Sequence, residues 1–445
     1  MLSFHLELNQ NFFQAESQSQ TVYGLIRIKP EENAIKGRAP LDIKFLLDRS
    51  GSMSERVTST NLDINTIIDF LFSKKNKKNI TKLDLLKIAV NQVINRMELN
   101  DMVSIITFDG NAKELIETII KSKEDKNNIK KIVTQIRTGG STNMSKALNI
   151  ALTAPDTVNH VKRIIIFTDG DVNTPSVEEE EKACTELAVK AKQLKIPFSI
   201  FATGIEYNDK FLGKLADITT GRMEHISNPT NMINIFNEEI GVLGDIAITN
   251  LEGTMQMSNG TLKEVSRVIP DIHQISITCP DYVFMSLGNL DRARGQAILF
   301  QAEIPSLPEG IHETGTLEVT YDIPLYNITG QKETFKIHVN CIKDASLCRV
   351  NQNVLETVQL AGATKLQTLA LDRADRGDTN GASRMLYQVY NVYTQLGRSD
   401  LATNVKTLTD AIKTEDHPSF ETKDMRRTLT TMSKQSAAKT LTTRY

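Results

Sequence analysis

The chain has 445 residues, 40% of them hydrophobic, which is too many for one ordinary core and predicts about two to four packed units. Its 52 Lys and Arg nearly balance its 54 Asp and Glu, so the formal net charge of -2 gives no overall attraction to nucleic acid or to an anionic membrane. Four cysteines in so long a chain, with no C-x-x-C pair, exclude a disulfide framework and favour a reducing compartment.

The first 40 residues have the pattern of β-strands. Apolar and polar residues alternate over residues 5–8 and more clearly over residues 21–28, before Pro30. The sheet that the following residues predict offers no place for these strands. We therefore expect residues 1–40 to form a β arm that pairs with a later β unit, so that the intervening domain is an insertion.

Residues 41–240 alternate between strand and helix patterns. Short apolar runs and apolar residues at helical spacing predict strands over residues 43–47, 103–108, 163–167 and 198–202 and helices over residues 83–97, 123–136, 145–152 and 178–193. Repeated βα units with apolar strands are typical of a parallel sheet with helices on both faces. We predict an α/β domain with a doubly wound, mostly parallel sheet.

The pattern changes twice more along the chain. Residues 241–345 contain short strand patterns at intervals typical of a β-sandwich. Residues 350–415 then have helical spacing, with Gly377 ending one helix and Asp378 capping the next. We predict a β-sandwich followed by a helical hairpin or three-helix unit.

Residues 416–445 differ in composition from the rest. From Met425 onward there are five basic residues and no acidic ones, set among many threonines and serines. Such a composition predicts a flexible basic tail that does not bury a core. A solvated end is favoured here over a nucleic-acid or phosphorylation site.

The strongest local signal lies at the end of the first α/β strand, where Asp48, Ser50 and Ser52 follow the apolar run. In open α/β sheets, ligands bind outside the carboxyl ends of the strands. A carboxylate and two hydroxyls, two residues apart on a turn eased by Gly51, can converge on one hard cation through oxygen alone. These oxygen ligands favour Mg²⁺ or Mn²⁺ over zinc or copper.

Two more loops at the same edge carry matching groups. Thr142 lies in the turn over residues 139–143, and Asp169 follows the strand that ends near Phe167. Mg²⁺ usually keeps several waters, so a site with only a few direct protein ligands leaves a position open. We expect an external acidic ligand to occupy that position.

In order and loop placement these residues resemble the metal-ion-dependent adhesion site, or MIDAS, of the von Willebrand factor A (VWA) domain family: Asp48-x-Ser50-x-Ser52, then Thr142 in a Gly-Gly-Ser-Thr-Asn turn, then Asp169 in Thr-Asp-Gly. The resemblance implies that the three hydroxyls contact the cation, while the two aspartates bind it directly or through water. It further implies that a Glu or Asp of a protein partner completes the coordination, so that binding depends on the metal.

The flanking segments resemble the stand-alone, intracellular members of the family, in which the VWA domain interrupts a β-sandwich and a helical segment follows. Within the helical segment, residues 372–378 look like theirs. The chain departs from compact members at residues 57–80, an insertion that we expect to border the metal face. Its lysine run over residues 74–78 is more typical of a solvated loop than of a phosphate or acidic-partner site.

Two of these signals also have simpler interpretations. The segment from Asp48 to Ser52 alone is compatible with an ordinary helix cap, although Thr142 and Asp169 in register argue against that. The four glutamates over residues 178–181 could suggest calcium, but at the start of a helix they favour a solvated face that complements the helix dipole.

Motifs of common enzyme classes are missing from the sequence. There is no G-x-S-x-G, no Gly-rich loop ending in Gly-Lys-Ser/Thr, no G-x-G-x-x-G after a strand, and no paired histidines of a zinc protease. The first residues lack the basic and apolar regions of an export signal, and no stretch of about 20 apolar residues occurs. We expect a cytoplasmic protein without a membrane span and without enzyme activity.

The favoured function is a metal-dependent protein–protein interaction module or scaffold. A Mg²⁺-dependent phosphohydrolase, with Asp48 or Ser50 as nucleophile, stays open as an alternative; it needs a cationic clamp, for which Arg49 is the obvious candidate. A third hypothesis is a structural subunit whose metal site is filled by a neighbouring copy, which would make the protein a homo-oligomer.

Overall fold

The structure is a computed structural model that describes residues 1–31, 34–56, 80–153, 157, 159–169, 176–203, 207–226, 232–414 and 419–442. Residues 57–79 of the predicted insertion, with its lysine run, therefore lie outside the described residues.

Strands and helices alternate in the middle of the chain. Among the residues described, only strands precede this part, and after it a run of strands is followed by a run of helices. The strands of the described residues are β1 (Leu2–Leu8), β2 (Phe13–Gln14), β3 (Gln20–Pro30), β4 (Leu41–Asp48), β5 (Met102–Phe108), β6 (Ala112–Ile119), β7 (Val161–Thr168), β8 (Phe198–Thr203), β9 (Arg222–Ile226), β10 (Ile246–Met257), β11 (Thr261–Ile269), β12 (His273–Ile275), β13 (Tyr282–Asp291), β14 (Gln296–Ile304), β15 (Gly310–Ile323) and β16 (Ile328–Ile342). Their α-helices are α1 (Lys82–Arg96), α2 (Lys123–Thr134), α3 (Met144–Thr153), α4 (Val177–Gln193), α5 (Asp209–Ile218), α6 (Met232–Gly244), α7 (Gln352–Asp375), α8 (Thr379–Gln395), α9 (Ser399–Thr414), α10 (Phe420–Lys434) and α11 (Ser436–Thr442). Within the described part of the chain, no helix combines the length and the apolar character needed to cross a bilayer.

The chain folds into two compact units. The first, which we call the α/β unit, comprises Arg38–Ile246 and Pro324–Asn327. The second, the β-helical unit, comprises Met1–Gly37, Ala247–Ile323 and Ile328–Tyr445.

The α/β unit contains a six-stranded sheet in the order β6-β5-β4-β7-β8-β9. Its strands are parallel except for β6, which pairs antiparallel with β5 at the edge. The predicted fold class, an α/β domain with a mostly parallel sheet, is confirmed. All residues of the central strand β4 are buried, as expected of a strand covered on both faces.

Successive residues of β4 point to opposite faces of the sheet, and each face is covered by helices. Phe45 and Leu47 pack in one cluster with residues of α1 and α6, such as Val90 and Phe236. Leu46 packs in the other with residues of α3 and α4. Burial of each such side chain stabilises the fold by about 1.5–3 kcal/mol, so the carboxyl end of β4 is firmly positioned.

The β-helical unit contains two five-stranded sheets, in the orders β1-β3-β14-β11-β12 and β13-β10-β15-β16-β2. Residues of both sheets, among them Val22, Ile304 and Val339, share a buried cluster. β3 pairs with β1 on one side and with β14 on the other. Strands that precede and follow the α/β unit in the sequence therefore lie side by side in one sheet.

The carboxyl-terminal helices pack on the first of these sheets. Leu25 and Leu299 of the sheet share a buried cluster with residues of α7, α8, α9, α10 and α11. The flexible-tail prediction is wrong for residues 419–442, because α10 and α11 bury Leu429 and Leu441 in this cluster. Composition misled here, because a helix can bury an apolar stripe while its basic residues stay outside that stripe.

Candidate metal centre

Asp48 is the last residue of β4 and forms the base of the candidate site. β4 lies between the parallel strands β5 and β7, whose carboxyl ends meet it at one edge of the sheet. The carboxylate is buried; Oδ1 accepts a hydrogen bond from the Ser50 backbone N–H at 2.8 Å and Oδ2 accepts one from Thr168 Oγ1 at 2.7 Å. These two bonds fix its orientation, and the 3-10 turn Gly51–Ser54 that follows is anchored in the core by the buried side chain of Met53.

Burial raises the pKa of Asp48 from 3.8 to about 6, because a carboxylate loses its hydration there. The hydrogen bonds from Ser50 and Thr168 oppose this shift in the pKa, and the negative charge of Asp169 adds to it. A divalent cation beside Asp48 would favour the charged form. A cation in this position would therefore stabilise a carboxylate that burial alone disfavours.

Two serines connect Asp48 with the loop after β7. Ser50 Oγ lies 3.1 Å from Ser52 Oγ, and Ser52 Oγ donates a hydrogen bond to Oδ1 of Asp169 at 2.7 Å. With the Asp48 contact above, hydrogen bonds link four of the five predicted ligands.

Thr142 reaches the same edge through the backbone of its loop. The Gly51 N–H donates to the carbonyl oxygen of Gly140 at 3.0 Å, and the Gly139 N–H donates to that of Arg49 at 2.6 Å. Thr142 itself is buried and lies just before α3. The structure thus brings all five predicted residues to the carboxyl edge of the sheet, Thr142 by way of these backbone contacts.

Glu180 holds the start of α3, which follows the Thr142 loop. Its Oε1 accepts a hydrogen bond from the Ser145 N–H and its Oε2 accepts one from Ser145 Oγ, each at 2.7 Å. Glu180 is only 5% exposed, so the interpretation of this glutamate run as a solvated face is wrong at this position. A carboxylate at a helix start satisfies N–H groups that have no partner within the helix.

Lys82 makes a contact that the sequence did not predict. Its Nζ donates a hydrogen bond to Oδ2 of Asp169 at 3.0 Å and lies 2.7 Å from Oε2 of Glu55. A capping box between Thr81 and Asp84 starts α1 at this lysine. That capping pattern is readable in the sequence. The insertion over residues 57–80, however, separates the lysine along the chain from residues 48–52, which we call the metal loop.

The ammonium of Lys82 is a positive charge already in contact with a predicted metal ligand. Burial lowers the pKa of Lys82, but the hydrogen bond to Glu55 and the charge of Asp169 outweigh it, so the net pKa is raised. Lys82 therefore stays charged at neutral pH. It neutralises part of the carboxylate charge at the site and occupies one oxygen of Asp169.

Arg49 lies inside the metal loop, but its guanidinium binds groups other than the predicted ligands. Its Nη2 donates to Oδ2 of Asp109 at 2.5 Å, and its Nη1 donates to the carbonyl oxygen of Arg137 at 3.1 Å. A Cβ on Gly139 would lie 2.0 Å from Oδ2 of Asp109, so a larger residue there would displace this ion pair. The ion pair joins the metal loop to the segment that leads to Thr142.

The donor set fits a hard divalent cation. The candidate ligands offer carboxylate and hydroxyl oxygens only, which suit Mg²⁺ or Mn²⁺. Among the described residues, no three His, Cys, Asp or Glu side chains group closely enough to hold a metal. A cation at this edge would therefore depend on the serine and threonine hydroxyls as well as on the two aspartates.

Two family models match separate parts of the chain. Residues 43–171 match the von Willebrand factor type A domain, and residues 352–442 match the Sll0103-like C-terminal alpha-helical domain. The first match covers β4 to β7 and supports a VWA domain in the α/β unit. VWA domains are in general protein-interaction modules.

Individual proteins resemble the chain over most of its length. The uncharacterized protein sll0103 of Synechocystis sp. is 23% identical over 361 residues, which are 78% of this chain and 77% of that protein. A von Willebrand factor type A structure from Catenulispora acidiphila has a TM-score of 0.71 at 17% identity and covers 97% of this chain and 96% of its own. The ArnB paralog VWA2 from Sulfolobus acidocaldarius has a TM-score of 0.55 at 17% identity, with 98% and 99% covered. These structural likenesses show the shared fold.

Proposed function

We propose that the chain is a metal-dependent protein-interaction module or scaffold, and not an enzyme. Its α/β unit holds one Mg²⁺ or Mn²⁺ at the edge formed by Asp48, Ser50, Ser52, Thr142 and Asp169. A Glu or Asp side chain of a protein partner completes the coordination of the cation. In this proposal the site acts as a MIDAS, and the β-helical unit serves as scaffold.

The observation that carries the proposal is the hydrogen-bonded line from Asp48 through Ser50 and Ser52 to Asp169. It gathers hard oxygen donors from two loops at the carboxyl edge, where open α/β sheets bind ligands. VWA domains often bind a divalent metal at the MIDAS, which agrees with this donor set.

The chain's own residues prepare the site for such a cation. Asp48 and Asp169 supply negative charge in a buried setting, where electrostatic attraction is stronger than in water. Thr168 holds one oxygen of Asp48, and the backbone N–H groups of Gly51 and Gly139 keep the neighbouring loop in place. When bound, the cation supplies the positive charge that attracts a partner carboxylate.

Calorimetric titration with Mg²⁺ and with Mn²⁺ tests the metal site first. We expect one cation per chain for the wild type and none for Asp48→Ala/Asp169→Ala. The control is Glu124→Ala, which removes an exposed carboxylate at the start of α2 in the same unit. Equal cation binding by the wild type and the double variant would refute the proposed ligands.

An affinity pull-down from native lysate tests the interaction, using the same three proteins with Mg²⁺ and with EDTA. The proposal requires a partner that is retained only by the wild type and the control, and only with Mg²⁺. Mutation of the partner's acidic residues should then abolish retention. Partners that are identical in all samples would contradict metal-bridged binding.

Two alternatives make different predictions. A phosphohydrolase needs a cationic clamp, but the Arg49 guanidinium is bound to Asp109 and to the Arg137 carbonyl, which does not favour that role. Hydrolysis of p-nitrophenyl phosphate that Asp48→Ala abolishes would support it nevertheless. A self-assembling subunit would be oligomeric with Mg²⁺ and would dissociate with EDTA, which light scattering measures.

We also propose a reducing, cytoplasmic setting for the module. The four cysteines are free thiols in the structure. Burial raises the pKa of the Cys184 thiol, and the charge of Glu180 raises that pKa further, so this thiol is unreactive at neutral pH. Fractionation of cells that express the tagged chain would test the setting, and its recovery outside the cytoplasm would contradict it.

A further inference from the structure

A cavity of about 440 Å³ opens beside the metal loop of the α/β unit. Its lining includes Arg49 of the metal loop, Lys113 and Leu115 of β6, Ile132 of α2, and Arg137 just beyond the end of α2. A cavity of this volume is in the range that holds a peptide side chain or a small ligand. The five predicted metal ligands are not among its lining residues, so the metal site alone does not account for it.

The cavity is lined by both apolar and basic side chains. Leu115 and Ile132 are partly buried, and Ile136 beside them is buried and belongs to the core. Lys113 and Arg137 also line the cavity and are exposed. Such a surface favours a ligand that has an aliphatic stem and a negative end.

The charges around the cavity leave an excess of positive charge. Asp109 is the one carboxylate among the described lining residues, and both of its oxygens are engaged. Oδ2 accepts the hydrogen bond from Arg49, and Oδ1 accepts one from the Asn111 N–H at 2.8 Å. Nη1 of Arg137 donates to the carbonyl oxygens of Thr134 and Ile136, at 3.1 and 3.2 Å, which orients the guanidinium and leaves its positive charge in place. Lys113 and Arg137 are not needed to neutralise Asp109 and can meet a second negative group.

The cavity and the candidate metal centre share their loops. Arg49 stands in the chain between Asp48 and Ser50, and its backbone carbonyl accepts the Gly139 N–H. An extended peptide advances about 3.3–3.6 Å per residue, so the number of residues between two acidic side chains decides whether one segment meets both places. Because Arg49 lines the cavity and stands between two predicted ligands, the two places are neighbours along this loop.

We infer that this cavity binds a second glutamate of the partner segment whose first acidic residue meets the cation. The methylene groups of that glutamate pack on Leu115 and Ile132, and its carboxylate pairs with Lys113 and Arg137. The inference rests on the proposed function and narrows it: the partner carries two acidic residues a short distance apart. A phosphate group would leave the apolar side chains of the cavity without a partner.

The test uses fluorescein-labelled peptides with two glutamates separated by one to four glycines, each matched to a peptide whose second glutamate is glutamine. Fluorescence anisotropy with the full chain and Mg²⁺ measures the affinity for each peptide. We expect the second glutamate to tighten binding about threefold to tenfold at the best spacing, which is what one or two partly exposed ion pairs supply.

Lys113→Gln/Arg137→Gln should abolish that gain and leave binding of the one-glutamate peptide unchanged. The control is Lys131→Gln, which neutralises an exposed lysine of α2 outside the cavity lining and should keep the gain. Circular dichroism melting of each variant checks that the fold is intact, which matters for Arg137→Gln because Arg137 donates hydrogen bonds to the backbone carbonyls of Thr134 and Ile136.

The outcomes separate the two proposals. Measurable binding of the one-glutamate peptide that is equal with Mg²⁺ and with EDTA refutes the proposed function. A second glutamate that brings no gain at any spacing, or a gain that survives in Lys113→Gln/Arg137→Gln, overturns the cavity inference while the metal site stands. Absence of binding by every peptide, with Mg²⁺ binding intact by calorimetry, also overturns it.

Discussion

Lys82→Met is expected to tighten divalent-cation binding and to destabilise the metal-free protein. The substitution nearly keeps the length of the side chain and removes the ammonium that contacts Asp169 at 3.0 Å. A cation that binds beside this carboxylate must displace the ammonium or tolerate its repulsion. The variant removes that competitor, and it also leaves Asp169 of the metal-free site without this counter-charge.

The size of the effect follows from the geometry. The Lys82 side chain is 14% exposed and that of Asp169 is 0% exposed, so water screens the pair only weakly. At an effective dielectric constant of about 20, attraction over this distance is about 5–6 kcal/mol before desolvation is subtracted. Hydrogen bonds to charged groups contribute about 1.5–3 kcal/mol net, which corresponds to a gain in cation affinity of about tenfold to one-hundredfold.

Titration calorimetry with Mn²⁺ and urea unfolding in EDTA measure the two effects. The matched control is Lys87→Met, because Lys87 lies on the same helix, is 13% exposed, and approaches Asp84 rather than Asp169. We expect the control to leave cation affinity unchanged. Weaker binding in Lys82→Met than in the wild type would refute the argument, since it would mean that the lysine organises Asp169 for the metal.

Three further outcomes are expected. In EDTA the free energy of unfolding should fall by about 2 kcal/mol as the pH rises from about 4 to about 6, and by about 3 kcal/mol over the whole titration, because the folded pKa of Asp48, about 6, exceeds its ordinary value of 3.8 and the folded state keeps the proton longer. Asp48→Asn should lack this fall in urea titrations, and an equal fall in both proteins would contradict the assignment. Glu180→Gln should loosen the start of α3 and weaken Mg²⁺ binding in calorimetry. The control Glu181→Gln, which alters a contact with Asn208, should leave Mg²⁺ binding unchanged. Equal effects of the two substitutions would argue that the start of α3 does not influence the metal site. Leu429→Ala should lower the free energy of unfolding, measured by urea titration, by about 2–5 kcal/mol, because Leu429 is buried. A loss near zero would mean that this segment is solvated, as the composition predicted.

Much of the α/β unit is predictable from its sequence, because strands buried on both faces need continuous apolar runs. β4 and β7 are such runs, and the candidate ligands directly follow strands or precede a helix. The edge strands β6 and β9 were not predicted, since most of their residues are only partly buried and their sequences mix polar and apolar residues without a clear period.

The contacts that escaped prediction depend on segments far apart in the chain. Lys82 meets Asp169 across 87 positions, and Glu180 meets Ser145 across 35. Neither pair is marked by a local sequence motif. Composition therefore predicted a solvated face for Glu180 and no role at the site for Lys82. Local patterns define which loops meet at an edge, but long-range packing decides which charged side chains enter it.

The pairing of β3 with β14 has a consequence for biosynthesis. Ile26 pairs with Ile298, about 270 residues later, so this sheet stays incomplete while the ribosome makes all the residues between them. At about 5–20 residues per second, the early hairpin of β1 and β3 waits for tens of seconds with an unpaired edge. A two-stranded hairpin is marginal on its own, so until β14 is made this nascent segment exposes an unpaired strand edge, a surface that is prone to aggregate.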